Sequence, residues 1–120
     1  MSNFAIRNAR NFAFEKQNGL CFWCNKQLNL LANDINDDGR LTLDHIVPKS
    51  RGGGNFKKNV VASCRSCNEK RGNELIHPVT GKELTIEFLK EIRAEILLQK
   101  ELLAYQREVN REKRKVQQGH

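Results

Sequence analysis

Cys21-Phe22-Trp23-Cys24 and Cys64-Arg65-Ser66-Cys67-Asn68-Glu69-Lys70-Arg71-Gly72 are the two stretches on which the fold turns. A C-x-x-C knuckle bends the backbone so that both sulfurs face one centre, and two knuckles complete a tetrahedral set of four thiolates. Such soft donors suit zinc or iron better than magnesium. The competing readings are a pair of disulfides, or one redox-active C-x-x-C with the other pair incidental. The start of the sequence shows no export signal, and a reducing compartment disfavours structural disulfides. Zinc held by Cys21, Cys24, Cys64 and Cys67 is therefore the expectation. Its closed shell has no open position for chemistry, so the metal serves as a scaffold. Binding would also stabilise a chain of 120 residues with 38% apolar side chains, whose core must be small.

Outward from the knuckles, Phe4–Lys16, with Phe4, Arg7, Arg10, Phe12 and Phe14, is compatible with a helix that stops at Asn18-Gly19. Leu41–Leu43 reads as a short strand entering Asp44-His45, and Asn59–Ala62 as a returning strand. The run Ser50-Arg51-Gly52-Gly53-Gly54-Asn55 suits a loop that must approach something closely. Asp34-x-Asn36-x-Asp38-Gly39, after Asn33, begins like a calcium loop. Its twelfth position is His45 rather than a bidentate Glu, and Asp37-Asp38-Gly39 is adequately read as a hairpin turn. Beyond Cys64–Arg71, a knuckle followed by a helix stopping at Gly72, Thr85 is a suitable N-cap, and Leu84 with Leu89 fits a hydrophobic staple. A long helix follows. Leu89, Ile92, Ile96 and Leu103 share one face, and Leu98, Leu102, Tyr105 and Val109 a neighbouring one. The first half should pack on the zinc domain; the second is left open to a protein partner or a second copy of the chain. Residues 1–80 then form the zinc-knuckle domain and 81–120 a helical extension packed on it.

The net charge of +7 favours an anionic partner. Residues 45–75 hold seven basic and two acidic side chains, against five and five in 1–44 and nine and seven in 76–120, which puts the excess beside the second knuckle. Lys49, Arg51, Lys57, Lys58, Arg65, Lys70 and Arg71 could contact DNA phosphates, and Lys70 and Arg71, following Asn68 in one short helix, are the first candidates. The mixed charges of Arg111–Lys115 read as a solvated face. Phe22 and Trp23 read as core around the zinc. No apolar run approaches a membrane span, and a cytoplasmic setting is the expectation.

Asp44, His45, Asn59 and Asn68 carry the chemistry. A carboxylate and a side-chain amide oxygen suit a hard cation such as Mg²⁺, and an imidazole can take a proton from water near neutral pH. Singly, His45 could be a core histidine, Asn59 a turn residue and Asn68 a helix cap. Tying Cys24 to Cys64 through zinc would bring the loop that bears Asp44 and the helix that bears Asn68 together.

The set Cys-x-x-Cys, Asp44-His45-Ile46-Val47-Pro48-Lys49-Ser50-Arg51-Gly52-Gly53, Asn59 and Cys64-Arg65-Ser66-Cys67-Asn68-x-Lys70-Arg71-Gly72 resembles a zinc-knuckle HNH endonuclease over about residues 18–72. The resemblance implies an α+β fold: a ββα-metal (His-Me finger) domain stapled by Cys₄ zinc, with an N-terminal helix and a long C-terminal helix. It also implies a nuclease that cuts DNA with Mg²⁺ or Mn²⁺, in a bacterial or phage-infected cell. Asp44 matches the metal-binding carboxylate, His45 the general base and Asn59 the middle Asn that holds the active-site loop by its backbone. Asn68 stands where the family has a final His or Asn that ligates the metal. Asn55 is a second candidate for the middle position, but the spacing of Asn59 to the second knuckle fits better. The alternative is a zinc-stabilised nucleic-acid-binding or adaptor module without cleavage. His77 and His120 match nothing in the family.

Overall fold

The computed structural model describes residues 3–31, 34 and 36–118, and for residues 3–7, 117 and 118 the backbone alone. The side chains of Phe4 and Arg7, and Asn33, Ile35 and His120, lie outside the described residues.

Helix α1 spans Asn3–Lys16, strand β1 Leu41–His45, strand β2 Val60–Cys64, helix α2 Arg65–Arg71 and helix α3 Ile86–Gln118. Chain reversal after α1 uses two consecutive left-handed residues, Asn18 at φ 56° and Gly19 at φ 76°. The Gly19 N–H donates to Phe14 O, and a Cβ at Gly19 would press on the Phe14 ring at 3.2 Å. Strands β1 and β2 pair antiparallel, Leu41 opposite Cys64 and His45 opposite Val60. Both strands end two residues later than their apolar patterns predict, and β2 begins one residue later, leaving Asn59 outside it. Asp44 and His45 are thereby strand residues at the end of the ladder, and the strand carries straight into the second knuckle.

Asp37-Asp38-Gly39 departs from the hairpin expectation. It forms a turn, with the Gly39 N–H donating to Asp37 Oδ1 at 2.8 Å, but the partner of β1 is β2, beyond the glycine loop. Strand β2 is buried along its whole length, with α1 and α2 both packed on the hairpin. Gln17, just past α1, is fastened to this strand by both ends of its amide: Nε2 donates to Ala62 O and Oε1 accepts from the Ala62 N–H.

The core joins Ala13 of α1, Trp23, Leu28, Leu41, Ile46, Val47, Val61, Ala62 and three of the cysteines to Leu89, Ile92 and Ile96 of α3. Helix α3 begins as its cap residue dictates, with the Phe88 N–H donating to Thr85 Oγ1 at 3.2 Å. Its buried face stops at Ile96. Leu98, Leu102, Leu103 and Tyr105 are all close to half exposed or more, so Leu103 does not continue the face assigned to it from helical spacing. No described helix is long and apolar enough to cross a membrane.

Candidate active site

The sulfurs of Cys21, Cys24, Cys64 and Cys67 lie within 4.8 Å of one another, with Cys24 and Cys64 3.9 Å apart. A tetrahedral site with Zn–S bonds of about 2.3 Å places its sulfurs about 3.8 Å apart, so the cluster could hold a structural metal such as zinc. The local electrostatics point the same way. Burial raises the pKa of Cys21, but the backbone N–H groups of Cys24, Cys64 and Trp23 outweigh it and bring the thiol from 9.0 to about 7. Burial pushes Cys64 and Cys67 upward, and the neighbouring Cys21 thiolate adds to it. Four sulfurs in one buried place cannot all ionise without a cation among them.

The first knuckle does more than present sulfurs. Trp23, between its two cysteines, is buried and donates its indole N–H to Asp44 Oδ2 at 2.7 Å. The other carboxylate oxygen, Oδ1, accepts from Arg71 Nη1 at 2.7 Å. Arg71 is 1% exposed and spends its guanidinium on the interior: Nη2 donates to Ile46 O at 2.7 Å and Nε to Ile76 O at 3.0 Å, with longer bonds to His45 O and Glu74 O. Its guanidinium carbon sits 4.7 Å from the centroid of the Trp23 ring. The expectation that Arg71 contacts phosphate is therefore corrected: the side chain lies inside the fold, with its charge matched by Asp44. Phe22 departs too, being 40% exposed rather than core.

Asp44, His45, Lys49, Ser50 and Asn68 line one cleft of about 300 Å³, between the end of β1 and the C-terminal half of α2. Asn68 donates its amide N–H to Thr42 Oγ1 at 3.0 Å and to Leu43 O at 3.3 Å. Strand β1 thus takes the donor end, and Oδ1 has no protein partner among the described residues. His45 Nε2 lies 2.6 Å from Asn55 Oδ1. Asn59 is fully buried and fastens the intervening loop: Oδ1 accepts from the Val47 N–H, while Nδ2 donates to Val47 O and Gly54 O.

The matching family model, that of the HNH endonucleases, covers residues 21–84. The chain belongs to the HNH endonuclease family. No curated protein sequence matches it. Membership fits what the geometry builds, a two-stranded hairpin and a short helix held by a four-cysteine cluster, and it carries nuclease-type function with a nucleic acid substrate.

Within this HNH domain the basic residues scatter. Lys49 is exposed at the cleft, and Lys70 is exposed on α2. Arg51 donates to Asn73 O and lies 3.9 Å from Glu74. Arg65 pairs with Asp38 at 3.1 Å and Glu69 at 3.4 Å. Lys57 and Lys58 border a separate cavity with Phe12, Phe22 and Phe88, where the Lys57 ammonium rests 4.8 Å from the Phe12 ring. Sequence reasoning missed Trp23 and Arg71 as the holders of Asp44. A buried indole N–H must find an acceptor, which is the signal that could have drawn attention to Trp23.

Proposed function

We propose that this protein hydrolyses DNA phosphodiester bonds, with His45 as the general base and a divalent cation held by Asp44 and Asn68. The observation that carries the reading is that Asp44 and His45 of β1 and Asn68 of α2 line one small cleft. The donor set suits Mg²⁺ or Mn²⁺. Each Asp44 oxygen accepts one bond from the protein and retains a lone pair, and Asn68 Oδ1 is its uncommitted end. A bound cation would withdraw charge from the scissile phosphate and the leaving oxygen.

The chain's own residues supply the rest. His45 takes a proton from the attacking water. Asn59 holds the loop that carries the cleft's far wall. Lys49, exposed at its edge, offers a charge to the DNA backbone. Zinc on the four cysteines would keep β2, α2 and the Trp23 knuckle in register without taking part.

Plasmid cleavage by the zinc-loaded protein, with and without Mg²⁺ or Mn²⁺, tests this. Nicks or breaks that need the cation and disappear in His45→Ala are expected. Unchanged cleavage by that variant would remove the proposed base. The tight neutralisation of Asp44 by Arg71 favours a second reading, a zinc-stabilised nucleic-acid-binding or adaptor module. DNA binding with no cleavage under any cation would select it.

A further inference from the structure

We infer that Asn55 is a positioning residue for His45, fixing which ring nitrogen carries the proton. The inference rests on the reading of His45 as the base. An imidazole has two nitrogens, and in its neutral form one donates while the other accepts. The Asn55 Oδ1 atom, 2.6 Å from Nε2, can only accept. The proton of neutral His45 therefore sits on Nε2, and Nδ1, with no hydrogen-bond partner among the described residues, is the lone-pair atom left to take a proton in the cleft.

The glycine run before Asn55 is what delivers it. The Gly53 N–H donates to Pro48 O at 3.0 Å, and a Cβ on Gly53 would fall 1.7 Å from Val47 O and 2.6 Å from Asn59 Nδ2. No side chain fits there. Gly54 follows at φ 69°, and its carbonyl is gripped by Asn59 Nδ2 at 2.9 Å. The residue next to that fixed carbonyl is Asn55. Asn59 thus holds Val47, two residues beyond His45, and Gly54, one residue before Asn55, with a single amide. An amide oxygen at position 55 holds the imidazole in one orientation. The charged groups around His45 are Asp44 and Lys49, which line the same cleft, and Arg71, whose Nη1 reaches His45 O at 3.4 Å.

The test pairs Asn55→Ala and the near-isosteric Asn55→Asp with His45→Ala, on the zinc-loaded full chain. ¹⁵N spectra of the His45 ring report the tautomer directly, independently of cleavage. Protonation at Nε2 is expected in the parent chain, with mixed tautomers in Asn55→Ala. Cleavage should fall about 10- to 100-fold in that variant, by analogy with loss of the partner that orients a metal-ligating imidazole. In Asn55→Asp, whose carboxylate can likewise only accept, the neutral ring should stay protonated at Nε2. Should Asn55→Ala not fold, the spectra of the parent and of Asn55→Asp still decide, since both must show the neutral ring protonated at Nε2. A His45 ring protonated at Nδ1 in the parent, or a tautomer unchanged in Asn55→Ala while His45→Ala is inactive, overturns the inference and leaves the nuclease reading intact. Cleavage that survives His45→Ala overturns the base reading instead, and the ring spectra still decide what Asn55 does.

Discussion

Replacing Arg71 with methionine should cost the fold far more than a surface arginine would. The side chain is 1% exposed and its partner Asp44 2%. Arg71→Met keeps most of the aliphatic stem beside Trp23 but removes the guanidinium. The Asp44 carboxylate is then buried with only the Trp23 indole as donor, and the carbonyls of Ile46 and Ile76 lose their bonds. Breaking one side of a buried pair costs about 3–5 kcal/mol. An unfolding entropy of about 2.1 cal/mol/K per residue gives about 0.25 kcal/mol/K for 120 residues, so Tm should fall by about 12–20 °C. Thermal unfolding of the zinc-loaded protein by circular dichroism measures it. Because the pair is buried, added salt should change the difference little. The double variant Asp44→Asn, Arg71→Met removes both charges and should be less destabilised than the sum of the singles. A fall in Tm of under about 4 °C, or additivity within about 0.5 kcal/mol, would refute the argument that these charges hold each other inside the fold.

Two further outcomes follow from the four-cysteine cluster and the glycine loop. Chelation of the metal should unfold the hairpin and α2, with one zinc recovered per chain by colorimetric titration and folding restored by adding zinc back; a chelated protein with unchanged melting would remove zinc from the structure. Gly53→Ala should destabilise by more than about 2 kcal/mol, since a Cβ would overlap the Val47 carbonyl, and should abolish cleavage; a Tm within 2 °C of the parent would show that the loop can be rebuilt.

Much of this was readable from local chemistry. Two C-x-x-C pairs announce one four-sulfur centre whatever the intervening chain does. Thr85 and Leu89 mark the start of α3 because capping is decided within a turn. Arg71 was not readable in this way. Lys70-Arg71 lies in the most basic stretch of the chain, and α2 is too short for periodicity to say which of the two faces inward. Only the assembled fold brings Asp44, 27 residues earlier, against it. Asn55 failed for a related reason. Spacing set it against Asn59 as rivals for one role, whereas the loop closes so that Asn59 grips the backbone while Asn55 meets the imidazole. The extent of β1 was hidden because Asp44 and His45 are polar residues extending a strand that its apolar pattern ends at Leu43.

The contact of Asp44 with both Trp23 and Arg71 bears on how relatives of this chain can diverge. A lineage that loses Arg71 while keeping Asp44 carries a buried, half-satisfied carboxylate until another donor arrives, and one that loses Asp44 first strands a buried cation. Single steps away from the trio are therefore steep, and paired steps shallow. Drift should consequently move positions 23, 44 and 71 together, while the exposed neighbour Lys70 varies on its own.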